Sequence, residues 1–354
     1  MLLNSKLCAD AGTVNCPCYL AEYGQCIVCS RLGGSGTADT GPWQSETPGS
    51  CECQWQGMCI YNEYLQNNLC IKDGDPEGQN AHLDRGTGDR RCSRLCKIQK
   101  IKWFDDDLAV MRISVPRGMA EKASLPGSFV FVREPDTECC FDLPVSVMRS
   151  DYEESAIEIA VKVMGPKSKA LLDRYRKMAN KKSLLGDSSA GGLMHELPLG
   201  DIMLRGVYRN GLPGAEKLMK SADNRVLCLV KGVGIAPVAN YIRWAEGKHK
   251  IDVIADLDKI NLKFAKYVLG DSEGLISVTF EPLPHDMTWA QEEEYDVIII
   301  SASDYFQQNI YVPESKLVLS NNHRMCCGEG VCGACMCMGA DGKEHRTCKE
   351  CLLR

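Results

Sequence analysis

The sequence predicts a β-barrel followed by a doubly wound parallel α/β domain, with a cysteine-rich region at each end. Short, closely spaced β-like runs fill residues 98–208, which is typical of a barrel or a sandwich. After residue 222, strand-like and helix-like runs alternate, which predicts a parallel sheet. Nine of the 21 cysteines lie between positions 8 and 70 and seven between positions 326 and 351, so both ends are candidate ligand-bearing regions.

Composition limits the class of protein. A chain of 354 residues, 44% of them hydrophobic and 25% charged, suggests two or three globular domains. The formal net charge of −6 provides no basic surface for a phosphate backbone, so a nucleic-acid partner is not expected. No apolar run approaches the roughly 20 residues needed to cross a bilayer, and no signal-like segment follows Met1. We therefore expect no membrane insertion and a cytoplasmic location, where thiols stay free or bind metal.

The barrel elements come first. The predicted strands cover residues 97–104, 108–115, 128–133, 145–148, 156–164 and 201–207. The first two flank Asp105-Asp106-Asp107, which is typical of a hairpin turn. A helix is predicted over 167–179 because Leu171, Leu172 and Tyr175 share one face, and a polar, glycine-rich loop follows over 181–192.

The α/β elements follow. Strands are predicted over 225–230, 251–255, 275–280, 295–301 and 316–319, and helices from 237 to 244, over 260–269 and over 305–310. The final 34 residues look like loops. The predicted domains are a cysteine-rich region (1–97), a barrel (98–222), a nucleotide-binding-like domain (223–320) and a cysteine-bearing tail (321–354). The first of these lacks apolar residues for a core of its own, so a metal site would have to stabilise it.

The strongest motif lies in the tail. Cys327, Cys332 and Cys335 have the spacing C-x4-C-x2-C, and Cys348 follows, which is typical of a plant-type [2Fe–2S] cluster. The interleaved glycines let the backbone approach the inorganic sulfurs. A zinc knuckle is the alternative, although zinc sites usually use closely spaced cysteine pairs at both ends. Three further cysteines leave the ligand choice open: Cys326, Cys337 and Cys351.

The tail resembles that of a known family. The segment from Arg324 to Cys335, closed by Cys348-Lys349-Glu350, is similar to the dihydroorotate dehydrogenase electron-transfer subunits of the ferredoxin–NADP reductase superfamily. The resemblance covers residues 98–354. It implies a flavin-binding barrel, a nucleotide-binding domain and a C-terminal [2Fe–2S] loop, with Cys348 as the fourth ligand. It also implies FAD and NAD(P) as further cofactors and a catalytic partner subunit of an oxidoreductase complex.

The resemblance places a flavin site in the barrel. Leu143-Pro144-Val145-Ser146 matches the family's Arg-Pro-x-Ser motif, with Leu143 where the family has arginine. Gly165 and Ser168 match its phosphate-binding turn before a helix, and a helix N-terminus favours anions. Pro144, Ser146, Gly165 and Ser168 are therefore candidate flavin-binding residues. The alternative is an ordinary barrel without flavin.

The resemblance also places a dinucleotide loop after a strand. Gly232 and Gly234 match the family's Gly-Gly-Ile-Gly-x-Ala-Pro loop, with Lys231 in place of the first glycine. Two more candidate cofactor-binding residues match its Gly-Asn-Gly-Phe region: Gly206 and Gly211. Ser301-Ala302-Ser303 stands where the family has Cys-Gly-Pro near the nicotinamide. Hydride exchange with NAD(P)H is therefore left open.

The N-terminal cysteines form two CxC units with trailing cysteines. The first group is Cys16, Cys18, Cys26 and Cys29, and the second is Cys51, Cys53 and Cys59. Thiolate ligands suit both zinc and iron–sulfur clusters. A second iron–sulfur cluster, of the [4Fe–4S] type, and zinc are both kept as interpretations.

The sequence thus predicts an iron–sulfur flavoprotein that transfers electrons between flavin or NAD(P)H and a partner, in an anaerobic setting that suits oxygen-sensitive clusters. No general acid–base pair or nucleophile stands out, so no catalytic residue is predicted. One alternative is an iron–sulfur relay or scaffold that has lost flavin and NAD(P)H binding. Another is a zinc-stabilised binding module.

Overall fold

The structure is a computed structural model. It describes residues 93–137, 142–184, 200–220, 223–272, 274–283, 295–328, 334–339, 342 and 344–348. All seven predicted N-terminal ligands, from Cys16 to Cys59, lie outside the described residues. The chain divides into two compact units, one containing Leu95–Asn322 and the other containing the segment from His323 onward. The division into four domains that the sequence predicts stays a prediction.

The first part of the larger unit is a closed antiparallel barrel, as predicted. Its strands are β1 (Ser93–Asp105), β2 (Leu108–Ser114), β3 (Phe129–Arg133), β4 (Leu143–Asp151), β5 (Ala156–Lys162) and β6 (Asp201–Tyr208). They close in the order β1-β2-β5-β4-β3-β6. Alternate side chains point inward because successive residues of a strand face opposite sides. Val130, Val132, Val145 and Val147 lie in the resulting core.

Two helices accompany the barrel. Helix α1 (Arg117–Ala123) is absent from the sequence prediction, and its Ala120 and Ala123 pack into the barrel core. Helix α2 (Pro166–Leu184) runs five residues past the predicted end at 179. Residues 181–184, which were predicted to belong to a loop, are therefore helical.

The second part is a five-stranded parallel sheet with helices, again as predicted. It contains β7 (Arg225–Lys231), α3 (Ile235–Ala245), β8 (Lys250–Asp256), α4 (Leu262–Leu269), β9 (Ile276–Thr279), β10 (Val297–Ser301), α5 (Asp304–Asn309) and β11 (Leu317–Leu319). The strand order is β11-β10-β7-β8-β9. The chain order reverses between β7 and β10, and in such sheets ligands bind at the carboxyl ends of the strands at that reversal point.

One apolar core joins the barrel to the sheet. Leu108, Val110 and Met148 of the barrel belong to the same buried cluster as Tyr241 of α3 and Phe264 of α4. These barrel residues point outward, away from the barrel interior. The two parts are therefore packed as one body within the larger unit.

The smaller unit contains a hairpin where the sequence predicted only loops. Strands β12 (Met336–Met338) and β13 (Glu344–Arg346) pair antiparallel. Three-residue strands in a polar, cysteine-rich segment give too short a pattern to detect. Across the residues that are described, no helix combines the length and the apolar character needed to cross a membrane.

Candidate functional site

The hairpin brings two predicted cluster ligands together. The register pairs Met336 with Arg346, so Cys335 and Thr347 lie opposite each other at the next position. The Thr347 backbone N–H and hydroxyl both donate to the Cys335 carbonyl oxygen, at 3.2 Å each. The Cys348 thiol and its backbone N–H donate hydrogen bonds to the Cys335 sulfur. Ligands 13 residues apart in the chain are thus adjacent in space.

The surroundings of Cys335 favour its thiolate. Hydrogen bonding from the Cys348 side chain is the largest influence and lowers the pKa of the Cys335 thiol. The Cys348 N–H and the positive charge of Arg346 lower it further, against the opposing effects of burial and of Cys327. Cys327, Cys335 and Cys348 are 5%, 5% and 2% exposed. The fourth predicted ligand, Cys332, lies outside the described residues.

Two of the predicted cluster ligands, Cys335 and Cys348, have adjacent thiols. Among the residues that the structure describes, no group of three His, Cys, Asp or Glu side chains is arranged to hold one metal ion. In a [2Fe–2S] cluster, four cysteine thiolates are shared between two irons. The adjacent thiols of Cys335 and Cys348 match the pair that one iron takes.

The predicted flavin motif lies on the outer face of the barrel. Strand β4 pairs with β3, and β3 with β6, so the outward side chains form rows across three strands. One row is Arg205, Phe131 and Pro144, and the next is Tyr208, Phe129 and Ser146. Leu143, where the family has arginine, packs against the barrel core instead. Any cation on this face must come from another strand.

Two arginines supply positive charge beside the motif. Asp142, 1% exposed, binds Arg133 and Arg205 with N–O distances of 2.8 Å each. The Arg205 guanidinium also lies 4.6 Å from the centre of the Phe131 ring. The Lys167 ammonium donates to the Asp142 carbonyl at 3.4 Å. No local sequence pattern predicts this cluster, because Arg133 and Arg205 are 72 residues apart in the chain and only strand pairing brings them together.

Of the two predicted phosphate-binding residues, Ser168 bonds within its own turn and Gly165 borders open space. The Ser168 hydroxyl accepts from the N–H groups of Met164 (2.9 Å) and Gly165 (3.1 Å), and donates to the Gly165 carbonyl at 3.0 Å. The donor and both acceptor positions of this hydroxyl are thus used in the turn that begins α2. A Cβ on Gly165 would meet nothing within 4 Å, so this glycine borders open space.

At the reversal point of the sheet, Lys231 forms an ion pair. Its ammonium lies 2.5 Å from an Asp256 carboxylate oxygen and 3.8 Å from Asp258. Burial raises the pKa of Asp256, but hydrogen bonds from Lys231 and from the Asp258 and Leu283 N–H groups outweigh it and lower the pKa overall. Lys231, at the end of β7, is thus linked by an ion pair to Asp256, at the end of β8.

The other candidate cofactor-binding glycines sit against the chain's own atoms. Gly232 has a φ of +56°, and a Cβ there would lie 2.8 Å from the Asp258 carbonyl oxygen. A Cβ on Gly234 would collide with the Ser301 carbonyl. At Gly206 and Gly211 it would lie 2.9 Å from a Val130 methyl carbon and 2.6 Å from the Gly127 carbonyl oxygen. Close backbone packing accounts for these glycines, and their roles in cofactor binding stay predictions.

Ser301 ends β10 beside the dinucleotide loop. It is fully buried, and within the described part of the chain its hydroxyl has no hydrogen-bond partner. A buried hydroxyl without a partner is costly. Ser301 begins the Ser301-Ala302-Ser303 segment, whose match to the family's Cys-Gly-Pro stays a prediction.

Comparison with known proteins gives structural likenesses only. No protein-family profile and no curated protein matches the chain. A structure of an NADH-dependent reduced ferredoxin–NADP oxidoreductase, from work on flavin-based electron bifurcation, is 19% identical with a TM-score of 0.49, covering 72% of this chain and 85% of that chain. The ferredoxin reductase in carbazole 1,9a-dioxygenase is 14% identical (TM-score 0.44; coverage 65% and 69%). Phthalate dioxygenase reductase is 13% identical (TM-score 0.41; coverage 64% and 66%).

Proposed function

We propose that this chain is an electron-transfer subunit that carries a [2Fe–2S] cluster beside a flavin-type reductase body. The observation that carries the proposal is the pair of adjacent, buried thiols of Cys335 and Cys348 at the end of the β12–β13 hairpin. Cys327 and Cys332 complete the proposed ligand set by their spacing. When bound, the flavin exchanges electron pairs and the cluster exchanges single electrons.

The protein supplies positions and charges for these groups. The outward rows on β3, β4 and β6 offer Pro144 and Ser146 for the flavin, and the Ser146 hydroxyl makes no hydrogen bond within the described residues. Arg133, Arg205 and Lys167 put positive charge beside that face. The open space at Gly165 leaves room for a phosphate near the start of α2. Gly232 and Gly234 would carry NAD(P) at the reversal point of the sheet.

The finer assignments belong to the same proposal. The tail motif supports a dihydroorotate-dehydrogenase-type electron-transfer subunit with a catalytic partner subunit. The N-terminal cysteines, Cys16, Cys18, Cys26, Cys29, Cys51, Cys53 and Cys59, would hold a further iron–sulfur cluster or zinc.

A second candidate is an iron–sulfur relay without flavin or NAD(P)H. Leu143 is turned into the barrel core, and the Ser168 hydroxyl is occupied by its own turn. Lys231 is paired with Asp256 across the loop that would approach a pyrophosphate. These observations favour a reductase-like body whose cofactor sites have closed.

The test is anaerobic purification of the full chain with its co-purifying subunits, followed by counts of iron, acid-labile sulfide, zinc and FAD. We expect iron and sulfide in equal amounts, and in Cys335→Ser the loss of the iron and sulfide that belong to the [2Fe–2S] cluster. Cys337→Ser, two residues away on the same hairpin and outside the proposed ligand set, is the matched control and should keep the cluster. Zinc without sulfide would overturn the proposal in favour of a zinc-stabilised module. Iron and sulfide without FAD would favour the relay.

A further inference from the structure

Lys231 is a cation at the point of the parallel sheet where the chain order reverses. It is the last residue of β7 and lies opposite Asp256, the last residue of β8. Its backbone is extended, with a φ of −127° and a ψ of 125°, so this position does not need the conformational freedom of glycine. The glycine turn Gly232–Gly234 begins at the next residue. What Lys231 adds to the turn is therefore its side chain.

Asp256 does not depend on Lys231 alone for the stability of its charge. One carboxylate oxygen, Oδ1, accepts from the Asp258 N–H at 3.0 Å, and the other, Oδ2, accepts from the Leu283 N–H at 3.4 Å. The Lys231 ammonium is a third donor, 2.5 Å from Oδ2. Backbone donors stabilise a carboxylate, so Asp256 keeps two hydrogen bonds if the lysine changes its partner.

The Lys231 side chain is able to take such a second partner. It is 30% exposed, and a lysine ammonium is a point charge on a flexible four-carbon stem. A partly exposed ion pair contributes little to stability, because water and salt screen it. A diphosphate carries more negative charge than a single carboxylate, and its hydrogen bonds with an ammonium are charge-assisted. Exchange of Asp256 for a phosphate oxygen is therefore favourable.

We propose that Lys231 binds the diphosphate of a dinucleotide at the Gly232–Gly234 turn, and that Asp256 competes with the diphosphate for the ammonium. The inference rests on the proposed function, because that function places NAD(P) at this turn. It adds a phosphate-binding residue at a position that the family resemblance assigns to glycine. In the ligand-free chain, Asp256 holds the ammonium and weakens the binding of the dinucleotide.

The test measures the affinity of the full chain for NADH, NADPH and ADP-ribose by anaerobic isothermal titration calorimetry. Lys231→Met should weaken the binding of all three roughly tenfold, since one charge-assisted hydrogen bond is lost. Lys231→Arg keeps the charge and should retain most of the affinity. Asp256→Asn removes the competing charge and should tighten binding about fivefold.

A double-mutant cycle separates this competition from simple repulsion between Asp256 and phosphate. If Asp256 acts by occupying Lys231, Asp256→Asn should have little effect in a Lys231→Met background. An equal gain in both backgrounds would show repulsion and overturn the inference. Lys250→Met is the matched control, because Lys250 is an exposed lysine at the amino end of β8, about 20 Å along the strand from Asp256. It should leave all three affinities unchanged.

The remaining outcomes are also decisive. An unchanged affinity in Lys231→Met, or an equal loss in Lys250→Met, would refute the inference. If circular dichroism shows that Asp256→Asn does not fold, the other two variants decide: a loss confined to Lys231→Met supports the inference, and an equal loss in Lys231→Arg overturns it.

The inference and the proposed function fail in different ways. If no variant binds any of the three ligands, both the inference and the NAD(P) site are refuted, while iron and acid-labile sulfide in the same preparation would still support the electron-transfer subunit. A wild-type chain without iron and sulfide would overturn the proposed function, whatever its affinity for NADH.

Discussion

The buried side-chain amide of Asn240 is one link between the barrel and the parallel-sheet part. Asn240 lies in the apolar helix α3 and is 2% exposed. Its Nδ2 group donates to the carbonyl oxygens of Ala123 (3.1 Å) and Leu125 (3.0 Å), at the end of α1. Replacing Asn240 with alanine removes both donors.

The expected loss of stability follows from the burial of the two carbonyls. Ala123 is fully buried, so its carbonyl would be left without a donor at a cost of roughly 1–3 kcal/mol. Leu125 is half-buried and partly reachable by water, so its lost bond costs about 1 kcal/mol. We expect Asn240→Ala to lower the free energy of unfolding by about 2–4 kcal/mol. For an m-value of about 3 kcal/mol/M, the urea midpoint falls by about 1 M.

Urea unfolding followed by far-ultraviolet circular dichroism measures this change. Asn240→Asp, which keeps the size but loses the donors, should destabilise at least as much, which separates lost hydrogen bonds from a lost volume. Asn309→Ala removes an exposed bond to the Tyr305 carbonyl and should cost less than about 0.5 kcal/mol. If Asn240→Ala unfolds at the same urea concentration as Asn309→Ala, the reasoning is refuted.

Two further predictions concern the cofactor motifs. Gly234→Ala should lower the free energy of unfolding by about 1–3 kcal/mol, because the new Cβ would collide with the Ser301 carbonyl. Gly165→Ala should change it little, because a Cβ there meets no atom within 4 Å. Equal urea midpoints for the two variants would contradict this prediction. Lys231→Met should cost about 1 kcal/mol at pH 7. Because the pKa of Asp256 is lowered in the folded state, the loss of free energy of unfolding in Lys231→Met should have its full size above about pH 4 and should vanish as the pH falls through the folded pKa. If the loss persists at about pH 2, lost packing and not the ion pair is responsible.

Hydrophobic periodicity was sufficient to predict the main elements. The barrel strands and the five sheet strands follow from alternating and continuous apolar runs, such as Ile157, Ile159 and Val161 or Val297–Ser301. The strand Val297–Ser301 is buried on both faces of the sheet, which is why its apolar residues follow one another without alternating with polar ones. Helix α1 was not predicted, because it has only seven residues and its N-cap residue, Pro116, has no side chain that can cap the helix.

The candidate site was only partly accessible to sequence reasoning. Spacing indicated Cys335 as a ligand and the family resemblance indicated Cys348, but neither predicted the short hairpin that makes them neighbours. The ion pairs of Asp142 with Arg133 and Arg205 depend on strand register, which no local pattern encodes. The glycines of the motif regions were identified, but their close contacts with Ser301 and Asp258 emerge only once strands and loops are assembled.

The apolar cluster that runs from the barrel into α3 and α4 makes the larger unit difficult to divide into separate fragments. A fragment ending at residue 222 would present Leu108, Val110 and Met148 to water, and a fragment beginning there would uncover Tyr241 and Phe264. Exposed apolar patches of that kind promote aggregation. Each part therefore covers apolar surface of the other. If one part is replaced by that of another protein, the contacting residues of the remaining part must be changed to match it.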